Sequence, residues 1–424
     1  MSLALVTNGK QLTGSLQAIS SKSELHRMLI CAAFSAQPSA VLCTPILSKD
    51  IEATISCLVA LGAKIEKEEG KIKIIRPITH VVSDKSITLD CHESGSTARF
   101  FLPYASMFRK NAMLIGQGKL PERPMMDLCQ CLEEHGALFS DYYLPITIRK
   151  CSKKTGSFSI SGNISSQYLT GLLLALPFID GQIELSTQLH SSGYVDITTD
   201  VMQRFGVNVK EENGVYTASG TYRTKDENVM AFGDWSNAAF FLCGAALSGQ
   251  VTLSGIDIKS KQPDRAVLDT LRLFGADVKV ENHIITVSRK ECLPFKLDAE
   301  NIPDLVPILA VLAAGAVGKT TISNITRLRL KESDRVDAVC KLICGLGGTA
   351  EADENNLYIL GTGKLKGGCV DSFNDHRIAM AASIASVLCE SPVEIHDCMA
   401  VTKSYPHFYE DFNKLIKTDI KICP

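Results

Sequence analysis

LRLFGADVKV, residues 271–280, holds the reading on which the fold turns. A helical run closes on Phe274, Gly275 follows, and ADVKV then alternates like a strand. A glycine at that point predicts a helix C-cap in the left-handed region, where a side chain is disfavoured. The same phrase returns as CLVALGAKI around Gly62, CLEEHGALF around Gly136, MQRFGVNVK around Gly206 and ICGLGGTAEA around Gly347. These glycines are spaced about 70 residues apart, the signature of an internal repeat.

Working outward, a second phrase lies between the first ones. Ser or Asp opens an Ala/Leu-rich run in SKSELHRMLICAAF, SGSTARFFLPYAS, SSQYLTGLLLALPF, DWSNAAFFLCGAAL, IPDLVPILAVLAAGA and NDHRIAMAASIAS. Anchored on Ser23, Ser96, Ser166, Ser236, Asp304 and Asp375, it keeps the same period of about 70 residues. Those anchors are expected to be N-caps, since Ser and Asp oxygens accept the unpaired N–H groups of a first helical turn. The runs are apolar nearly all round, which predicts buried helices. Strand-like segments such as AVLCTPI, NAMLIG, GQIELS and GKTTISNI follow them.

Each unit therefore reads as buried helix, strand, amphipathic helix, strand and usually another strand. The fold class is α/β (α+β), with six repeats, each of about 70 residues, filling nearly all of the 424-residue chain. Six repeats divide naturally three and three between two domains, with chemistry expected in the cleft between them. The polar stretch TYRTKDEN at 221–228 predicts the boundary: residues 21–228 form one domain, and 229–424 form the other with 1–20 as a closing N-terminal strand.

Composition narrows the function. Lys and Arg total 44 against 46 Asp and Glu, a net charge of −2, with no long block of one sign. General affinity for nucleic acid or a membrane surface is excluded, while a local basic pocket is not. The longest apolar run, Leu305 to Val317, falls short of the roughly 20 residues a bilayer requires. The opening MSLALV lacks the basic and apolar segments of an export signal, so a cytosolic protein is expected. The odd count of 15 cysteines then argues against a disulfide framework, and no zinc-like spacing occurs. Cys340 and Cys344 fall on the face of Val336 and Ile343, so core packing is expected for them.

The openings of the buried helices are unusually polar for such apolar elements. Lys22, Ser23 and Arg27 open one buried run; Ser165, Ser166 and Gln167 open another; Asp304, and Asp375 with His376 and Arg377, open two more. Arg123, then Lys331, Glu332 and Arg335, and Lys403 are read as opening amphipathic segments. A cation at a helix N-terminus opposes the dipole, which points to an external anion. A pocket of cations, hydroxyls and two or three carboxylates suits substrates rich in phosphate and carboxylate. Lys22, Asp304 and Glu332 are its candidate acid–base groups. Gly315 to Thr321 imitates the end of a Walker A loop, but helix precedes strand there, the reverse of a P-loop.

SKSELHR (21–27), SGSTARFF (94–101), LPERP (120–124), SSQYLTGLLLALP (165–177), GYVDIT (193–198), IPD (302–304), LKESDR (330–335), NDHRIAM (374–380) and TKSYP (402–406) occur in this order along nearly the whole chain. In them the sequence closely resembles the EPSP synthases, a branch of the enolpyruvyl transferase family. The resemblance implies a two-domain inside-out α/β barrel with three βαβαββ units per domain. It implies transfer of an enolpyruvyl group from phosphoenolpyruvate to the 5-hydroxyl of shikimate-3-phosphate, with no metal or organic cofactor and a monomeric enzyme. Lys22, Gly95, Arg123, Gln167, Arg335, Arg377 and Lys403 would then hold phosphoenolpyruvate, the site at which glyphosate would inhibit. Lys22, Ser23, Arg27, Ser165, Ser166, Gln167, Ser191, Tyr194, Asp304 and Lys331 would hold shikimate-3-phosphate. Asp304 and Glu332 would transfer protons, assisted by Lys22 and Lys403.

Four positions depart from the family pattern. Glu93 stands where Asn is usual, Ser96 where Thr is common, and Lys119 and Arg327 where Arg and Asn are frequent. Two rival readings differ in testable ways. Many of the sister enzymes acting on UDP-N-acetylglucosamine carry a cysteine where this chain has Gly118. A non-catalytic repeat scaffold leaves the charges at equivalent helix starts unexplained.

Overall fold

The computed structural model describes residues 2–163, 165–189, 192–418 and 420–423. Among these described residues the helices are α1 (Lys22–Phe34), α2 (Lys49–Ala60), α3 (Gly95–Phe108), α4 (Met126–Glu133), α5 (Ser166–Ala175), α6 (Ser192–Arg204), α7 (Trp235–Leu247), α8 (Val267–Phe274), α9 (Val306–Ala314), α10 (Arg335–Gly345), α11 (His376–Ala385) and α12 (Phe408–Ile416). The chain divides into two compact units, Met1–Ile19 with Phe232–Pro424, and Ser20–Ala231.

One repeat shows how the sequence makes the element. Strand Ile87–Asp90 runs into α3 and returns as Ala112–Ile115, parallel to the first. A parallel pair needs a crossover, and the buried helix supplies it. The chain continues through α4 into Leu138–Phe139, which pairs antiparallel with Ile146–Lys150, and that strand closes back on Ala112–Ile115. Six four-stranded sheets carry this βαβαββ order. Gly62, Gly136, Gly206, Gly275 and Gly347 all have positive φ, between 81° and 113°, where the amphipathic helices end. At Gly275 the αL cap closes α8 directly.

Three of the sheets are completed by strands that sequence order does not place there. Leu3–Val6 pairs antiparallel with both Val393–His396 and Lys421–Cys423. Leu12–Gln17 pairs parallel with Gly249–Ser254, so it is the leading strand of the repeat that continues in α7. The N-terminus thus contributes two strands to two sheets, not one closing strand. In the other unit Asn228–Met230 pairs parallel with Ser39–Leu42 and leads the repeat of α1. That pairing keeps 221–230 inside the unit, so the boundary falls at Ala231/Phe232 rather than within TYRTKDEN.

Each unit has its own core, built on its three apolar helices. Every residue of α9 is buried, as are all but one of α3 and of α7. In one unit α9 packs on α7 and α11; in the other α3 packs on α5. Sheets lie outside and helices inside, an inverted α/β arrangement that follows from helices apolar on every face.

The true N-caps lie one or two residues ahead of most of the expected anchors. Ser21, Ser94, Ser165 and Asp234 cap α1, α3, α5 and α7, which leaves Ser23, Ser96, Ser166 and Ser236 in the first turn. Asp375 does cap α11, whereas Asp304 sits in a 3₁₀ turn, Pro303–Leu305, ahead of α9. Two other expectations fail. Cys344 is exposed and Cys340 only half-buried, because the core-facing stripe of α10 runs through Val336, Val339, Leu342 and Ile343. Eight of the fifteen free cysteines are buried, as for small hydrophobes. Lys403 ends a 3₁₀ turn, Cys398–Lys403, and opens no helix. Among the described residues no helix is long and apolar enough to cross a membrane.

Candidate active site

The expected site residues fall into two groups, one in each unit. In Ser20–Ala231 they lie at the starts of α1, α3, α5 and α6, with Arg123 directly after the 3₁₀ turn Leu120–Glu122. Arg27, 3% exposed, donates from Nε to Thr198 Oγ1 (2.8 Å) and from its terminal nitrogens to Ser23 O (2.6 Å), Tyr194 O (3.1 Å) and Thr170 Oγ1 (3.3 Å). Its guanidinium also stands 4.9 Å over the Phe100 ring. Burial among neutral acceptors lowers its pKa to about 10, yet it remains a cation at neutral pH. Lys22 Nζ donates to Asp50 Oδ2 at 2.8 Å.

α3 and α5 meet through Gln167, which accepts from Arg99 (2.8 Å) and donates to Ser96 Oγ (3.0 Å). They approach closely because Gly171 has no side chain; a Cβ there would collide with the Arg99 carbonyl. Gly95 is pressed between two cations, and a Cβ on it would stand 2.7 Å from both Arg99 and Arg123. Thr54 links His26 of α1 (2.7 Å) to Thr97 of α3 (2.8 Å), tying these helix starts together. Ser191 lies outside the described residues. Glu93 reaches over the tight turn at Gly118, where a Cβ would stand 2.5 Å from its carboxylate oxygen. Lys119 is exposed ahead of the 3₁₀ turn Leu120–Glu122, and Arg327 is half-buried in another, Thr326–Leu330.

The second group centres on Asp304. Its Oδ1 receives Arg335 at 2.7 Å and faces Lys331 at 3.4 Å; its Oδ2 receives Arg377 at 2.8 Å. Burial pushes this carboxyl's pKa up, but Arg377, Lys331 and Arg335 together hold it well below the usual carboxylate range. Arg335, 1% exposed, also donates to Glu332 (2.7 Å) and to Asp375 (2.8 Å). Burial alone would loosen its proton; Asp375, Glu332 and Asp304 hold it more tightly than in water. Asp375 accepts from Ser333 Oγ and, as N-cap, from Arg377 N. Lys331 is pushed down by burial against the pull of Asp304. Lys403 Nζ donates to Asn374 O at 2.6 Å, beside the start of α11.

Such a cluster can bind anions and move protons. Its cations are preorganised, and Asp304 and Glu332 are carboxylates whose basicity depends on which cations they share. The sequence matches the family described as EPSP synthase (3-phosphoshikimate 1-carboxyvinyltransferase) over residues 6–412.

The chain belongs to the EPSP synthase family.

It is 40% identical over 417 residues to the 3-phosphoshikimate 1-carboxyvinyltransferase of Clostridium novyi (strain NT), covering 96% of this chain and 95% of that relative. A relative of the same name from Clostridium acetobutylicum is 39% identical over 415 residues, covering 95% of each chain. The solved EPSP synthase of Acinetobacter baumannii superposes over 100% of both chains with a TM-score of 0.83 at 24% identity, a likeness of fold.

Two residues of this EPSP synthase family member escaped sequence reasoning. Arg99 joins Gly95, Arg123 and Gln167; its place four residues after Gly95, on one helical face, was the available signal. Asp264 is 1% exposed on the turn Pro263–Ala266 before α8. Burial, then the neighbouring Asp304, push its carboxyl up to about 7. Nothing in KQPDRAV signals that. Of metal-binding residue types, Cys369, Glu394 and His396 lie together on the outer face of their sheet. They are partly or fully exposed, and one Glu394 oxygen already lies 3.1 Å from His396 and accepts from Cys369 Sγ, so they form a surface cluster apart from both groups.

Proposed function

We propose that this chain transfers the enolpyruvyl group of phosphoenolpyruvate to the 5-hydroxyl of shikimate-3-phosphate. The products are 5-enolpyruvylshikimate-3-phosphate and inorganic phosphate, a step of the shikimate pathway toward chorismate and aromatic amino acids. The observation that carries the reading is Asp304 held by three cations with Glu332 on the same arginine. Family membership supplies the substrates.

In the addition step the 5-hydroxyl oxygen bonds to C2 of phosphoenolpyruvate while C3 gains a proton. In the elimination step the C2–O bond to phosphate breaks and C3 returns a proton. Asp304 takes the hydroxyl proton and Glu332 serves C3, with Lys22 and Lys403 assisting. Lys22, Gly95, Arg123, Gln167, Arg335, Arg377 and Lys403 receive phosphoenolpyruvate. Lys22, Ser23, Arg27, Ser165, Ser166, Gln167, Ser191, Tyr194, Asp304 and Lys331 receive shikimate-3-phosphate.

The Asp304 geometry adds a coupling. An anion that takes Arg377 or Lys331 from Asp304 removes a charge that holds this carboxyl's pKa down. Asp304 then becomes a stronger base only when substrate charge is in place. The working enzyme is a monomer in the cytosol.

Phosphate release from phosphoenolpyruvate is the test, with shikimate-3-phosphate or a UDP-sugar as acceptor, each with and without glyphosate. Release dependent on shikimate-3-phosphate is expected, together with inhibition by glyphosate at the phosphoenolpyruvate site. Release that needs the UDP-sugar overturns the assignment.

A further inference from the structure

Gln262 and Asp264 clamp the turn before α8 onto the start of α7. Gln262 accepts from Trp235 N (3.0 Å) and donates to Gly233 O (2.9 Å). Asp264 Oδ2 shares a short hydrogen bond with Ser236 Oγ, while its Oδ1 meets no donor among the described residues. Held on both sides, this carboxyl does not reach water; it is 1% exposed.

The charges that face it come from three elements. Asp234, the cap of α7, and Asp304, ahead of α9, are like charges; Arg377 of α11 is the opposing one. Arg377 already donates to Asp304 Oδ2 at 2.8 Å. An ionised Asp264 would therefore be a buried anion with one oxygen unsatisfied, sharing the charge of Arg377 with Asp304. Such an arrangement is costly, and a carboxyl in this setting holds its proton to higher pH than one in water.

We propose that Asp264 acts in its protonated form as a positioning residue, leaving the charge of Arg377 to Asp304 and to the incoming phosphoenolpyruvate. The proposal rests on the enolpyruvyl transfer proposed above. If Asp264 loses its proton, a second carboxylate draws on Arg377 and the anion site weakens. By linkage, phosphoenolpyruvate bound at Arg377 and the proton on Asp264 favour each other.

One arm of the test is independent of catalysis. Because the folded-state pKa is raised from the ordinary 3.8 to about 7, the stability this group contributes is full below pH 3.8 and lost as pH rises through about 7. D264N, a neutral isostere, is expected to gain melting temperature relative to the parent between pH 5 and pH 8. An offset that stays constant with pH overturns the protonated assignment, whatever reaction the enzyme catalyses.

The second arm is kinetic. Between pH 6.5 and 8.5 the parent KM for phosphoenolpyruvate should rise about fivefold or more relative to D264N, with the ratio of their kcat values unchanged. Parallel KM profiles overturn the positioning role. S236A removes the hydroxyl that stabilises the ionised form, so its alkaline KM limb should move to higher pH. An unmoved limb overturns the proposal even if D264N does not fold.

Discussion

The two groups of charged residues sit at comparable places in comparable repeats, yet they are built on opposite principles. Around α1, α3 and α5, Arg27 is buried among neutral oxygens, and Gly95 lies between the guanidinium groups of Arg99 and Arg123. Around α9, α10 and α11, Arg335, Arg377 and Lys331 are matched against Asp304, Glu332 and Asp375. The first arrangement sets guanidinium groups side by side and among neutral oxygens, with Lys22 on Asp50 beside them, which suits holding an anion. The second keeps charges in balance, so displacing one partner alters the proton affinity of the others, which suits acid–base work.

The largest expected effect separates the two designs by stability. Asp375→Ala takes one of three carboxylates from the buried Arg335 and removes the N-cap of α11, and should cost about 3–5 kcal/mol in urea unfolding. Arg27→Ala leaves only neutral acceptors behind and should cost about 1–3 kcal/mol. Equal losses would erase the distinction between an arginine set among neutral oxygens and one matched by carboxylates.

The next effect is catalytic. Glu332→Gln should lower kcat about a hundredfold or more, as for a lost general acid or base, with the urea midpoint nearly unchanged because Glu332 is 25% exposed. A near-normal rate would remove Glu332 from proton transfer and return the balanced cluster to a structural role.

The smallest effect probes the guanidinium groups beside Gly95. In Gly95→Ala the new Cβ presses on the ends of Arg99 and Arg123, which are flexible enough to shift. The KM for phosphoenolpyruvate should rise about tenfold, the equivalent of about 1.4 kcal/mol, while the melting temperature holds. A lost fold with unchanged KM in the folded fraction would show that Gly95 serves packing instead.

Much of this was legible before any coordinates. The recurrent glycines marked helix ends because a left-handed cap is a local backbone demand, and all five adopt it. Apolar runs without a polar face announced buried helices, and α9 is the extreme case. Less legible were the strands Leu3–Val6, Leu12–Gln17 and Asn228–Met230, whose partners are remote in the chain. A short strand carries no label for its neighbour, because pairing is settled by the register of whole sheets. The cap positions slipped for a related reason. Ser21 and Ser23, or Ser94 and Ser96, are equivalent by type, and the path of the entering chain chooses between them.

By itself the sequence determined the repeat, the helices that must be buried, the polar residues at their starts and the family. Each of these rests on local chemistry, on periodicity or on motif order. Tertiary structure alone decided which strand completes which sheet, that Arg99 stands with Arg123 against Gly95, and that Asp264 is a carboxyl poised near neutrality. The reason is electrostatic and geometric. A side chain's charge state depends on the water it has lost and the charges it faces, and both come from elements distant in the chain.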